Sequence, residues 1–158
     1  MPIRLLAVPV VVLALAVPAG MAGVRSAGTL SVEDGVGRVT VRASGTLVGR
    51  LGKGDITIVD LTPNDQWSPR VNGVPRGRVV GLRGRDVNFY IPGGRYRIVL
   101  RGEGISLSAR GTGIAELRAR FGARTLPGSF AVGDDRPRTL PESERVVFGT
   151  QVDKGDPA

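Results

Sequence analysis

The sequence predicts an all-β fold, an antiparallel sandwich or barrel of short strands, placed after an N-terminal export signal. Three observations predict it. Apolar residues recur with period two through most of the chain, the spacing of a half-buried strand rather than of a helix. Each alternating run is short and bounded by Gly, Pro, Asn or Asp. Glycine is abundant, at 24 of 158 residues, which suits turns, bulges and close backbone approaches.

The elements follow in order. Met1 to Arg4 carries a basic side chain, Leu5 to Val17 is wholly apolar, and Pro18 to Ala22 is small and turn-prone. Those are the three regions of a secretory signal peptide, with cleavage expected after Ala22. The competing reading is an uncut membrane anchor. The apolar run falls short of the ~20 residues a helix needs to span a bilayer, and Pro9 interrupts it. After cleavage no transmembrane anchor is expected. Residues 23–28 are expected to be a flexible start, 29–148 one β domain, and 149–158 a flexible polar tail.

Within the domain, Val39, Val41 and Ala43 alternate with Thr40 and Arg42, and Ile56 and Ile58 flank Thr57. Tyr96, Ile98 and Leu100 alternate with Arg95, Arg97 and Arg101, and Ile105, Leu107 and Ala109 alternate with Ser106 and Ser108. Asn72-Gly73 is a strong signal for a tight hairpin. Pro92-Gly93-Gly94 is expected to join Phe89–Ile91 to Arg95–Arg101 as a longer hairpin. Gly111-Thr112-Gly113 and Gly133-Asp134-Asp135 are expected to be turns. Ile114–Phe121 is read as a strand from its alternation, although propensity alone allows a helix. About eight to ten strands result. Val48–Ile56 and Val80–Val87 share a strand, Gly/basic turn, Asp, strand pattern, which is attributed to two similar turns.

Gly94-Arg95-Tyr96-Arg97-Ile98, Arg101-Gly102-Glu103-Gly104 through Ala109, and Gly128-Ser129-Phe130 resemble a group of small exported β-rich proteins of actinobacteria that have no assigned activity. That resemblance spans about the second half of the chain. It implies export and a β domain, and no substrate, cofactor or catalytic residue.

Composition narrows the chemistry. There is no His and no Cys, so the usual general base, Ser-His catalysis and the usual zinc ligands are excluded. No disulfide can form. Gly52-Lys53 is followed by Gly54, where a phosphate-binding loop needs Ser or Thr. Asp134-Asp135 and Asp60 to Asp65 lack the spacing of a calcium loop and read as turns. The Lys-Gly-Asp tripeptides at 53–55 and 154–156 read as chance turns as well. No cofactor, metal or catalytic residue is therefore assigned. A carboxylate pair hydrolysing envelope glycans is the one common hydrolytic scheme that the composition permits. Trp67 either stacks on a sugar or caps the end of the sandwich.

The charge is unevenly placed. Residues 76–124 hold eleven Arg against three acids, while 23–75 are close to neutral and 125–158 slightly acidic. Within 76–124 the arginines recur two apart, as in Arg83/Arg85 and Arg95/Arg97. On a strand such residues share one face at roughly 6.6 Å spacing. Arg95, Arg97, Arg101, Arg83 and Arg85 are thus the candidate ligand residues, for an anionic envelope polymer or a lipid surface. Nucleic acid fits poorly, because stacking needs exposed aromatics and Tyr96 falls on the buried side. Two alternatives stand beside the anion-binding reading. The arginines can be an ordinary solvated face in a protein that uses twenty Arg and two Lys, or the domain can be an assembly subunit that pairs through an uncovered sheet edge.

Overall fold

The computed structural model describes residues 28–62, 68–122 and 126–149. The signal segment, residues 23–27, Trp67 and the tail from 150 lie outside the described residues. The fold is all-β and antiparallel, and its sheet does not close into a barrel. Eight strands run in chain order: β1 (Gly28–Asp60), β2 (Arg70–Val71), β3 (Val74–Pro75), β4 (Val79–Ile91), β5 (Arg95–Ala119), β6 (Ser129–Val132), β7 (Arg138–Thr139) and β8 (Glu144–Phe148). Among the described residues there is no helix, and so none able to cross a membrane.

The expectation of uniformly short strands fails for β1 and β5, of 33 and 25 residues. Each is bent and takes part in the sheet more than once. Residues 28–44 pair with 95–111, while 37–60 pair with 96–119 in a second register. Residues 47–59 pair in turn with β4. The outcome is one sheet folded into two layers. The first layer runs β8, 112–119, 37–44, 95–102, 53–60, 79–85. The second runs β7, β6, 28–35, 105–111, 45–51, 87–91, β2, β3.

The core lies between the layers and draws on both. Val41, Ile58, Tyr96, Ile98 and Leu100 come from the first, and Leu30, Leu51, Phe89, Ile105 and Phe130 from the second. Burial of the Tyr96 ring pushes its phenol pKa up. Burying a Leu or Ile side chain contributes about 2 kcal/mol, so this aliphatic core carries the fold without disulfides.

The fold line is legible in the burial. Inward residues are even-numbered at Leu30 and Val32, odd from Val39 to Leu51, and even again at Ile56 and Ile58. β4 switches from Val80 to Val87, and β5 from Leu100 to Ile105. The phase of the alternation thus slips in four adjacent strand segments at one line. Directly paired glycines mark that line: Gly37 with Gly102, Gly102 with Gly54, Gly54 with Gly84. Gly54 and Gly102 have φ of 151° and 146°. A Cβ on Gly54 would strike the Arg101 carbonyl, and one on Gly102 the Lys53 carbonyl. No other residue fits there.

Several turn expectations change accordingly. Asn72-Gly73 is a two-residue hairpin between β2 and β3, with φ of 51° and 76°, as expected for a turn with both central residues left-handed. Residues 133–134 form a turn, and 114–119 are strand. Pro92-Gly93-Gly94, by contrast, links the two layers. The strands on either side of it each pair with β1 rather than with one another. Gly111-Thr112-Gly113 is no turn, since β5 runs through it. Nor are the two Gly-basic-Asp segments turns. They are the bends of β1 and β4, and they pair with each other, Asp55 with Arg83 and Gly54 with Gly84.

Four glycine substitutions separate these roles. Gly54→Ala and Gly102→Ala should each destabilise by on the order of 3 kcal/mol, from positive φ plus a backbone clash. Gly73→Ala has positive φ but open space and should cost about 1 kcal/mol. Gly81→Ala, in open space without a positive φ, should be neutral to slightly stabilising. Urea denaturation of the four variants checks the ranking.

Candidate anion-binding face

The fold line sets which side chains of the first layer point out. Cross-strand pairing places Arg118, Arg38, Arg101, Asp55 and Arg83 side by side on five successive strand segments. At about 4.8 Å per strand that row is roughly 19 Å long. The next outward row is nearly uncharged: Glu116, Thr40, Val99, Thr57 and Gly81. The row beyond it holds Ile114, Arg42, Arg97, Val59 and Val79.

Two rows that carry arginines thus flank a band that is neutral except for Glu116 at its edge. The outward face of the second layer differs. It is mostly hydroxyl, with Thr29, Ser31, Thr46, Ser106 and Ser108 around Arg50 and Arg110. Folding the sheet gathers more of the arginines onto one side, although Arg50, Arg70 and Arg110 remain on the other.

Along the first arginine row lies a groove of about 610 Å³, lined among others by Arg38, Lys53, Arg83, Arg101, Arg118 and Arg120. It adjoins a second depression of about 320 Å³ that adds Arg97, Val99 and Thr57. Asp55 is the one acid of the row, between Arg101 and the terminal Arg83. It accepts two bonds from Arg83, Nε to Oδ1 at 2.6 Å and Nη2 to Oδ2 at 3.2 Å. That hydrogen bonding holds its pKa below the usual carboxylate value, against an opposing effect of desolvation, with the charges of Arg83 and Arg101 adding to it. The same contact raises the pKa of Arg83.

The other arginines of the face are not matched this way. Among the described residues the ion pairs are Arg83–Asp55, Arg50–Asp86 and Arg138–Glu144. Arg38, Arg42, Arg97, Arg101 and Arg118 are in none of them. Arg38 stands out further, for its Nε is buried without a hydrogen-bond partner.

Of the five arginines picked from the sequence, the structure brings Arg83, Arg97 and Arg101 together on the groove walls. Arg95 shares the same outward side but lies at the far end, in a depression with Arg42 and Thr112. Arg85 sits at the bend opposite Lys53, away from the groove lining. Tyr96, Ile98 and Leu100 point inward as expected, at 1% exposure or less. Arg38, Arg42 and Arg118 were not singled out from the sequence. The first two lie in a stretch whose net charge is near zero, and only the pairing register shows them beside Arg101 and Arg97.

Compared with protein families, with curated proteins and with solved structures, the chain finds no match. The chemistry of the face must therefore be read from its own residues. Parallel guanidinium groups with free donors engage oxyanions bidentately. Glycoside hydrolysis instead wants one carboxyl with a raised pKa, and Asp55, the acid of the first arginine row, is shifted the other way. Among the described residues no three acidic side chains gather as metal ligands would.

Carboxyl-detected titration should find the Asp55 midpoint below 3.8, the ordinary aspartate value, and Arg83→Gln should raise it. A folded pKa below the unfolded one means that the pair stabilises above the unfolded pKa. The contribution is lost as pH falls through the folded value. The Arg83→Gln variant should accordingly match wild type in stability at low pH and fall behind it, slightly, at neutral pH.

Proposed function

We propose that this protein is an exported, non-catalytic domain that holds an anionic polymer of the cell envelope against its arginine face. Export rests on the Leu5–Val17 apolar run and the small residues through Ala22.

The observation that carries the binding is a set of like-charge pairs. Arg38 lies directly opposite both Arg101 and Arg118, and Arg42 directly opposite Arg97. Like charges directly opposite in an antiparallel pair are destabilising, by up to about 1 kcal/mol each. A solvated face chosen only for solubility intersperses both signs. Here three repulsive pairs share one face, and a buried Nε beside them has no partner. A polyanion would relieve the three repulsions at once. A lipid surface suits the face less well, because interfacial binding draws on aromatic anchors beside the basic residues, and the apolar members of the arginine rows are Ile114, Val59 and Val79 at one edge only. The exposed aromatics Tyr90 and Phe121 are not in the arginine rows.

Two measurements test the proposal. The chain from Gly23 should co-sediment with purified envelope at low salt and be released at high salt, because counterion screening weakens such contacts. Replacing Arg38, Arg97 and Arg101 together by Gln should abolish the retention, whereas Arg110→Gln on the opposite face should not. Arg38→Gln alone should weaken binding and stabilise the free protein by roughly 0.5 kcal/mol at low salt. Equal retention of the triple variant would remove the arginine face as the site.

A further inference from the structure

We infer that the arginine face has two phosphate subsites, and that its ligand is a linear polymer bearing phosphate groups. The inference rests on the anion-binding reading and adds the geometry and chemistry of the ligand.

The first subsite is the groove at the fold line, where Arg38, Arg101 and Arg118 stand on three neighbouring strand segments. The second is the Arg42–Arg97 pair. Arg38 and Arg42 are four residues apart on one strand segment, as are Arg101 and Arg97 on its neighbour. Four residues of strand span about 13 Å. Between the subsites lie Thr40, Val99 and Thr57, which carry no charge, while Glu116, opposite Thr40 on the neighbouring segment, shares with Arg145 the depression that Arg42 and Arg97 line. The depression that joins them is lined by Arg38 and Arg101 at one end and Arg97 at the other. A ligand that uses both subsites must therefore cross a neutral gap. A single small anion can fill only one of them.

The donor set favours phosphate over carboxylate. One guanidinium satisfies both oxygens of a carboxylate in a bidentate pair. Three guanidinium groups on one groove call for a group with more acceptor oxygens and more charge. Phosphate supplies both. Arg83 does not join this set, because Asp55 holds it. Asp55 also closes the end of the row to further negative charge, which directs the polymer along the strands rather than across them.

The test uses inorganic triphosphate, long-chain inorganic polyphosphate and polyglutamate as probes, with binding to the chain from Gly23 measured at one fixed salt concentration. Triphosphate is too short to bridge the subsites and long-chain polyphosphate is not. Two linked contacts bind far more tightly than one, so polyphosphate should bind at least about tenfold more tightly than triphosphate. Arg42→Gln with Arg97→Gln should remove most of that advantage and leave triphosphate affinity within about twofold. Arg38→Gln with Arg101→Gln should abolish triphosphate binding. Polyglutamate should bind more weakly than polyphosphate in wild type.

A chain-length advantage that persists undiminished in the Arg42/Arg97 variant would overturn the second subsite, with the anion-binding face still standing. Polyglutamate binding as tightly as polyphosphate would overturn the choice of phosphate. Failure of wild type to bind any of the probes would overturn both this inference and the proposed function.

Discussion

The paired glycines along the fold line are what the rest of the structure depends on. Two strands as long as β1 and β5 cannot stay flat and bury one face, since a flat two-stranded ribbon has nothing to pack against. They fold over instead. Four adjacent strand segments must then bend at the same level and shift which residues point inward. Gly54 and Gly102 meet backbone to backbone with positive φ, and each blocks any Cβ on the other with the carbonyl of its neighbour. The two residues act as one hinge, supported by Gly37 and Gly84 on either side.

The same constraint builds the candidate site. Before the bend, 28–35 presents Thr29 and Ser31 outward. After the slip in phase, 37–44 presents Arg38 and Arg42. In β5 the slip separates the outward Arg95, Arg97 and Arg101 from the outward Ser106 and Ser108. The arginines become neighbours because 95–102 lies between 37–44 and 53–60 in the first layer. Remote parts of the sequence thereby contribute to one row. The cost is repulsion between directly opposed arginines, which exposed groups screen in part with water and salt. Asp55 offsets it at one end of the row only.

Much of the strand content was legible in the sequence, because half-buried strands show period two. The alternation of Tyr96, Ile98 and Leu100 with Arg95, Arg97 and Arg101 gave both the buried and the exposed side of that segment. Asn72-Gly73 was legible for a local reason, in that two successive left-handed residues close a hairpin. The bends were not. Glycine serves a turn and a mid-strand bend equally well, so 92–94 and 111–113 invited the wrong reading. A better signal was present in Gly28, Gly37, Gly45 and Gly54, which recur every eight or nine residues, and in the change of apolar parity beside some of them. Turns rarely keep such spacing, whereas a strand that crosses a folded sheet repeatedly must. The arginine face was half legible. Charge counting found the 76–124 segment and missed Arg38 and Arg42, whose neighbours in the chain mask them and whose neighbours in space come from β5.

The claim that joins fold to function is that residues 95–102 lie between two segments of β1. Cross-strand nuclear Overhauser effects from Gly102 test it most directly. The account predicts contacts from Gly102 to both Gly37 and Gly54 in the isolated protein. Contacts to one of them alone would mean that β1 does not fold back on β5 and that the arginine face does not exist as described: without the Gly37 contact Arg38 is not beside Arg101, and without the Gly54 contact Asp55 and Arg83 do not continue the row.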